Sequence, residues 1–517
     1  MASSQSSTQS NRVPHPKPAK NLAVRPREFL WVDYQDDRSK GRELLRSKQA
    51  FVRTRHHRLR REKQQQCIPG PFPTGQCPPS HAANTSTRRV SSDTRGSDSS
   101  ADQSPVLARC LEAGVLDGGP GLAFSPNHNP NIYFHHYRMH SARACFPLCS
   151  SDVTVWFWQK ALQDPALMQI KLSISASHRA AILAASGAST NTVQKPTHDA
   201  IRLRVGTIKS LQGILQDTAT MYSDQTVFII AHIIVSEAME ANIEAVDTHM
   251  NGMKKIIDAL GGMDMLDHGT LAMVYSCQFL RGIMSDSMPI LEMCAKFQRR
   301  VLKESAFFKS KNQFTEGSAL GTRFFDAPWS TEIHPTFKSI ISSFQQITSY
   351  YESFANVDVE PMSVENDCLL FLCYRLKSLP FQVSLTPFEE TLRLSITAYT
   401  CVRMWTLYGI PCLECLVEML RKSLFTSLSV LQSTAPDLLF WILFTGSLAS
   451  RATKSHSWFL AHLKDVADQL SLKEWDHVVS LLEKFFFKCR PTDEPAKELW
   501  HSTFGLDLVI VQEHQKY

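Results

Sequence analysis

The sequence predicts an all-α fold, in which a large multi-helix body follows a disordered basic N-terminal arm. From Asp152 onward, apolar residues recur at three- and four-residue steps, which is the spacing of one buried helix face. No segment shows the strict alternation of apolar and polar residues that a half-buried strand produces. Hydrophobic residues make up 43% of the chain, which is sufficient for a large core. We therefore expect helices packed on helices, without a sheet.

The N-terminal residues are predicted to lie outside the core. Residues 1–37 open with a Ser-, Gln- and Pro-rich stretch and are expected to be a disordered tail. Residues 38–63 are the basic arm, which is compatible with one helix that has a thin apolar seam. Residues 1–66 hold 16 Lys and Arg against 6 Asp and Glu, a net charge of +10, so the remainder carries −4 of the total of +6. This asymmetry is typical of an N-terminus that meets a polyanion or an import receptor.

The expected boundaries of the body follow from composition. Residues 64–150 are rich in Pro, Gly and Ser and then irregular, so we expect a linker there. The body is expected to span residues 151–505, followed by a tail over residues 506–517. The most apolar runs fall far short of the roughly 20 residues that a membrane-spanning helix needs, so no membrane partner is expected. The 13 Cys are odd in number and lie in apolar segments, which favours reduced thiols in an intracellular protein.

The best-supported element is a helical hairpin over residues 223–262. Its first helix is apolar on most sides and must therefore be buried, and Ser223 and Asp224 lie where an N-cap belongs. Its second helix is amphipathic and stops at Gly261-Gly262, a pair suited to a left-handed C-terminal turn.

Other helices are expected on both sides of the hairpin. Asp164-Pro165 is an N-cap followed by proline at the first helical position, and it predicts a helix to about Ala185. Another helix is predicted to begin at Thr197, and residues 315–330 are expected to form a loop. The remaining helices are predicted over residues 271–284, 288–303, 335–354, 363–377, 386–408, 411–432, 437–450, 455–469 and 472–489.

Two groups of Cys and His have some features of a metal site. Cys412 and Cys415 have the spacing of half a zinc site, but no second pair follows near them, which favours structural thiols. Five more potential ligands fall close together at spacings that match no zinc pattern, and a structural role is favoured for these too. They are His135, His136, His140, Cys145 and Cys149. No metal is predicted.

The sequence carries no motif that predicts catalysis. It lacks a P-loop, a G-x-G-x-x-G fingerprint and a G-x-S-x-G elbow. A helical prenyl-diphosphate enzyme would need carboxylate clusters on its helices, and the acidic pair Asp36-Asp37 lies before the body. His232 and His249 of the hairpin could face each other, but the favoured interpretation is that both are satisfied core histidines. We therefore predict a protein that is not an enzyme, with no catalytic residues and no cofactor.

The basic arm supplies the candidate binding residues. These residues place cations on every side of the predicted helix, where they can lie against phosphates, and they would also serve as a nuclear import signal. The two roles are compatible, and phosphate contacts alone carry no sequence information. The residues are Arg53, Arg55, Arg58, Arg60, Arg61 and Lys63.

Four separated segments together resemble the fungal-specific transcription factor family, over about residues 25–63 and 150–505. The hairpin resembles the family pattern S-D-x-T, Glu, H-x-x-G-[LM] and G-G, and the arm resembles a basic segment of one branch of the family. The residues that carry the resemblance are Ser223, Asp224, Thr226, Glu237, Asn242, His249, Gly252, Gly261 and Gly262 in the hairpin; Asp437, Trp441, Gly446 and Trp458; Trp475, Leu481, Leu482, Phe485, Phe486, Phe487 and Trp500; and Phe29, Arg46, Ser47, Val52 and Arg53 in the arm.

The resemblance implies a nuclear regulator whose helical body responds to a ligand or partner and recruits the transcription machinery. Its implied partners are DNA and an import receptor, both through the arm. Many members carry a Zn₂Cys₆ cluster that places a helix in the major groove. Up to residue 110 this sequence has only Cys67, Cys77 and Cys110, so it resembles a branch without the cluster. The open alternative is a helical scaffold or ligand-sensing co-regulator that never touches DNA and acts through protein partners.

Overall fold

A computed structural model describes residues 130–146, 151–305, 320–354, 364–488 and 494–504. Every regular element within these ranges is a helix, so the predicted all-α class is confirmed. The helices are α1 (Pro130–His136, continued by the π-helical turn Tyr137–Ser141 and by Ala142–Cys145), α2 (Ser151–Gln163), α3 (Pro165–Ala185), α4 (Thr190–Gln216), α5 (Asp224–Ala238), α6 (Ile243–Leu260), α7 (His268–Met284), α8 (Ala295–Glu304), α9 (Pro335–Phe354), α10 (Val364–Ser378), α11 (Pro387–Tyr399, continued by the π-helical turn Thr400–Met404), α12 (Cys412–Thr434), α13 (Pro436–Ala449), α14 (His456–Gln469), α15 (Trp475–Leu482) and α16 (Glu494–Phe504). Short turns of helix at Thr218–Met221, Met263–Met265, Arg323–Asp326, Pro328–Glu332 and Leu379–Phe381 lie in the connections.

The N-terminal half of the body is built around α3 and α5. Helix α3 packs against α1, α2, α4 and α5, and α5 also packs against α4, α6 and α7. Because α5 is surrounded, its side chains from Thr226 to Ile234 are all buried, as the apolar sequence predicts.

The predicted hairpin is confirmed as α5 and α6, with its caps. The Ser223 hydroxyl accepts the Thr226 N–H at 3.1 Å, and the Asn242 side chain accepts the Ala245 N–H at 3.3 Å. Gly261 ends α6 with a φ of +105°, a left-handed conformation that favours glycine. Three residues that carry the family resemblance therefore fix where both helices begin and where α6 ends.

The C-terminal half is built around α13, which is buried on all sides. Helix α13 packs against α11, α12, α14, α15 and α16. An aromatic cluster fills its centre: the Trp441 ring stacks on Phe485 at 5.7 Å and meets the edge of Phe324 at 5.5 Å. Such pairs contribute beyond their buried area, so this cluster is a main source of cohesion in this half.

Helix α7 joins the two halves. One face of α7 packs on α5 of the first half, and other faces pack on α10 and α12 of the second. Its two sides therefore belong to one continuous hydrophobic core.

Two stretches in the N-terminal half differ from the predicted elements. Residues 130–145 fall in the stretch predicted to be irregular, but they form α1, because Phe134 and Tyr137 share a face that is buried in the core beside α3. Helix α4 begins at Thr190 rather than at Thr197, and Pro196 lies inside it in a buried position. Proline signals a helix boundary because it lacks an N–H, but packing of the surrounding turns outweighs that loss here.

Candidate functional site

The connection between α7 and α8 forms an irregular strap over residues 285–294. The sequence predicted a helix from residue 288, whereas α8 begins only at Ala295. A helix pairs its backbone groups with itself, but several backbone groups of the strap pair with side chains of α7 and α10 instead. This competition explains the difference from the prediction and fixes the path of the strap.

Side chains of α7 hold the second half of the strap. The Gln278 amide donates to the Leu291 carbonyl at 2.7 Å and accepts the Ile290 N–H at 3.2 Å. The Tyr275 hydroxyl accepts the Cys294 N–H at 2.8 Å and donates to a further strap carbonyl at 3.2 Å. Gln278 and Tyr275 thus each satisfy two buried or half-buried backbone groups.

Side chains of α10 hold the same strap from the other side. The Tyr374 hydroxyl accepts the Met293 N–H at 3.2 Å and donates to the Leu291 carbonyl at 3.3 Å. Lys377, one turn further along α10, donates to the Ser285 carbonyl at 2.8 Å. The strap is therefore clamped between two helices by polar side chains.

A charged cluster lies where the strap begins. One carboxylate oxygen of Asp286 lies 3.0 Å from Lys377 Nζ and 3.2 Å from Arg393 Nη2. The Arg393 side chain is 2% exposed, whereas the Asp286 side chain is 56% exposed. Arg393 also donates through Nε to Glu390 at 2.7 Å. Two largely buried cations therefore share a carboxylate that lies mostly in solvent.

Burial lowers the pKa of Lys377 below its ordinary value, although the Asp286 charge opposes this shift. The Lys377 stem packs on Gly282 of α7, where an added Cβ would lie in ordinary van der Waals contact with it at 3.4 Å. The position and charge of Lys377 therefore depend on both α7 and the strap.

An apolar pocket extends from this charged cluster between α7, α10, α11 and α12. The empty space between its walls is about 500 Å³ when the open mouth is included. Only about 20 Å³ of that space can hold the centre of a water molecule. Pro289 of the strap, Phe279, Ile283 and Leu394 are among its apolar lining residues, and Lys377 and Arg393 also line it. Cys373 lines it too, but burial raises the pKa of this thiol well above its ordinary value, so it is a poor nucleophile.

A second polar cluster lies beneath the π-helical turn of α1. Lys171 of α3 is 4% exposed, and its Nζ lies 4.0 Å from the centre of the Phe157 ring and 4.8 Å from that of Tyr137. Lys171 also donates to the Tyr137 hydroxyl at 3.2 Å. In the described part of the chain no Asp or Glu pairs with it, and burial lowers the pKa of Lys171 to about 7.

A pair of buried histidines joins α1 to α3. His136 Nε2 and His178 Nδ1 are 2.9 Å apart, and the Ser141 hydroxyl lies 3.1 Å from the same nitrogen of His178. Burial lowers the pKa of His136 to about 3 and that of His178 to about 4, and neighbouring histidines add to both shifts. Both rings are therefore neutral at physiological pH.

The structure brings together part of the predicted His and Cys group. His136 and His140 have ring centres 4.9 Å apart, whereas Cys149 lies outside the described residues. Burial raises the pKa of the Cys145 thiol, which disfavours the thiolate that a metal would need. Across the described residues, no group of three or more His, Cys, Asp and Glu could hold a metal ion.

The other candidate residues have separate positions. His232 Nδ1 donates to the Phe228 carbonyl of its own helix at 2.8 Å, and His249 lies near Arg204. Cys412 is buried at the start of α12, and burial raises its pKa to about 12. The predicted binding residues of the arm, Arg53, Arg55, Arg58, Arg60, Arg61 and Lys63, lie outside the described residues.

The strap and its pocket were not predicted from the sequence. The signal in the sequence is a polar stripe on a helix that is otherwise apolar: Tyr275, Gln278 and Arg281 recur every three residues along α7. Arg281 completes the stripe by donating to the Met288 carbonyl at 3.0 Å. Polar residues on a buried helix face need partners, and the nearby chain supplies them.

Comparisons with known proteins identify one family. The profile of the fungal specific transcription factor domain matches residues 132–485, well over half of the chain. This range contains the strap and the polar cluster of Lys171, and it begins after the arm. No curated protein and no solved structure matches the chain. None of the described helices has the length and apolar character to cross a membrane.

Proposed function

The chain belongs to the fungal-specific transcription factor domain family, and from this we propose that it regulates transcription in the nucleus. The match to the family profile carries the proposal. In the proposed division of labour, the helical body is the regulatory part. The basic arm, residues 38–63, contacts DNA phosphates and an import receptor, and the body recruits the transcription machinery.

The distribution of charge supports this division. The chain carries +6 in total, and residues 1–66 alone carry +10. A body with net negative charge is repelled by DNA as a whole, so a concentrated basic segment is the better phosphate contact. The six arm residues that we propose as contacts to DNA phosphates or an import receptor are Arg53, Arg55, Arg58, Arg60, Arg61 and Lys63.

A salt titration of DNA binding by the full-length protein tests the arm. Replacing Arg58, Arg60 and Arg61 with Gln is expected to weaken binding to all sequences alike. It should also flatten the plot of log affinity against log salt by about 0.9 for each phosphate that the variant no longer binds. The matched control replaces three arginines of the body surface, Arg202, Arg299 and Arg300, with Gln, and it should leave the slope unchanged.

Two outcomes would contradict this role. If the arm variant and the body variant had equal slopes, the arm would not contact phosphate. If the weakening were confined to one base position, the contact would be with a base edge instead. A fluorescent fusion that keeps its location after removal of residues 38–63 would rule out the import role.

The alternative is a co-regulator that binds protein partners and never touches DNA. The absence of the Zn₂Cys₆ pattern from the first 110 residues favours it, because that cluster is the family's usual means of reading DNA. Absence of DNA binding by the full-length protein at low salt would support this alternative.

A further inference from the structure

The strap contributes part of the wall of the pocket between α7 and α10. Asp286 places a carboxylate against Lys377 and Arg393, and three residues later Pro289 lines the pocket. The strap thus places an acid, followed by a small apolar group, beside a cavity that is lined by Lys377, by Arg393, which also pairs with Glu390, and by apolar side chains.

We propose that this pocket binds a small apolar monocarboxylate, which displaces Asp286 from Lys377 and Arg393 and moves Pro289 out of the pocket wall. The proposal concerns the helical body alone and does not depend on DNA binding by the arm. In this proposal the strap competes with the ligand for Lys377 and Arg393.

The charges of the site explain why a carboxylate from solution can replace Asp286. The Asp286 side chain is 56% exposed, and an ion pair at such a position contributes little because water screens it. Arg393 and Lys377 are far more buried, at 2% and 13% side-chain exposure. A ligand carboxylate that enters the pocket would meet the same two cations in a less hydrated place, where each charge-assisted hydrogen bond is stronger.

The size and polarity of the pocket define the rest of the ligand. With the strap closed, about 20 Å³ is open, which is room for a single water molecule. The ligand must therefore take the place of strap atoms, which limits it to a group near the size of the proline ring and its neighbours. The interior is formed by Phe279, Ile283 and Leu394, so an alkyl or small ring substituent fits it.

The way the strap is fixed permits such an exchange. Side chains of Gln278, Tyr275 and Tyr374 hold residues 290–294, which do not need to move. In the first part, from Ser285 to Pro289, Lys377 donates to the Ser285 carbonyl and Arg281 donates to the Met288 carbonyl. The exposed Asp286 carboxylate also pairs with Lys377. Opening is therefore confined to the half of the strap that carries the acid and the proline.

Calorimetric titration of the full-length protein with hexanoate tests the proposal, with hexanol and inorganic phosphate as the comparison probes. We expect hexanoate to bind at least about tenfold more tightly than either probe, because only hexanoate offers both the charge and the apolar group. Equal binding of hexanol would refute the role of the cations, and equal binding of phosphate would refute the role of the apolar interior.

Substitutions of Asp286 and of Lys377 should change hexanoate binding in opposite directions. Asp286→Asn removes the internal competitor at an exposed position and is expected to tighten hexanoate binding by about threefold to tenfold. Lys377→Met is expected to weaken it by at least about tenfold. Lys160→Met serves as the matched control. Lys160 also pairs with a carboxylate, that of Asp267 at 2.7 Å, but it belongs to α2, which does not line the pocket. Weaker binding by the Asp286 variant would overturn the proposal.

The fluorescence of Trp405 offers a second readout. Its ring lies 4.3 Å from that of Phe279, which lines the pocket. Hexanoate is expected to change the emission of the protein, and the change should disappear in Trp405→Phe while calorimetric binding is kept. DNA retention is not measured in either experiment, so failure here and failure of the arm's proposed role are distinguishable.

Discussion

Buried cations occur in two regions of the body with different surroundings. At the strap, Lys377 and Arg393 share the carboxylate of Asp286, which is largely exposed. Beneath the π-helical turn, Lys171 lies on the rings of Phe157 and Tyr137 and, within the described residues, has no carboxylate partner. The carboxylate partner therefore decides what each buried cation does. An exposed carboxylate such as that of Asp286 can be exchanged for a ligand. A buried lysine that has no carboxylate partner lowers stability and titrates near neutrality.

The sealed lysine should give the greatest change in stability. Replacing Lys171 with Met is expected to raise the free energy of unfolding at about pH 7 by roughly 2–4 kcal/mol, because it removes a buried charge that no carboxylate compensates. The folded pKa is about 7 and the ordinary value is 10.5, so the unfolded chain binds more protons between these values. The stability of the native protein should therefore rise as pH increases from about 7 to 10, and that rise should vanish in the variant.

Urea unfolding at several pH values measures this effect. The control is Lys160→Met, which removes a lysine that also lies over two aromatic rings but pairs with Asp267 at 2.7 Å. The control variant should be slightly less stable than the native protein and should keep the alkaline rise. If Lys171→Met were the less stable of the two at pH 7, the sealed lysine would be a stabilising element and the proposed contrast with the strap would be wrong.

A smaller effect is expected at the pair His136 and His178. Their folded pKa values are about 3 for His136 and about 4 for His178, below the ordinary 6.5, so the unfolded chain takes up protons first on acidification. Stability should be complete above about pH 6.5 and fall as pH decreases toward 4, by up to about 1.4 kcal/mol per unit for each histidine. His178→Asn should flatten this acid branch, and the exposed His198→Asn should not. Unchanged acid sensitivity of His178→Asn in thermal unfolding would show that this pair does not control it.

Changes at the strap should affect global stability least. Replacing Gln278 with Leu leaves the Ile290 N–H without its side-chain partner and the Leu291 carbonyl with the Tyr374 hydroxyl alone. The loss should destabilise the closed strap, rather than the whole fold, by about 1–3 kcal/mol. Amide hydrogen exchange should accelerate in residues 285–294. Gln432→Leu is the matched control, since that amide pairs with Gln469 on the exposed surface. Equal exchange in both variants would indicate that the strap is held by other contacts.

The features that the sequence predicted are those that local rules determine. The hairpin followed from the apolar run of α5, the N-cap Ser223 and the left-handed Gly261, each of which acts within a few residues of itself. The start of α3 at Pro165, after the Asp164 N-cap, followed in the same way.

The features that could not be predicted depend on residues far apart in the chain. The strap is irregular because Gln278 and Tyr374, from two different helices, pair with its backbone. His136 pairs with His178, which lies 42 residues further along the chain and has no spacing that would single it out. Such contacts leave no periodic signal, so a local pattern predicts a helix or a loop where the folded chain builds a site.

In the proposed division of labour, a separate basic arm brings the helical regulatory body to DNA. Chromatin occupancy of the tagged full-length protein, compared with the same protein lacking residues 38–63, measures this dependence. We predict that removal of the arm abolishes occupancy while the amount of folded protein is unchanged. Equal occupancy of the two proteins, with equal nuclear amounts, would contradict the proposal and would assign recruitment to partners of the body.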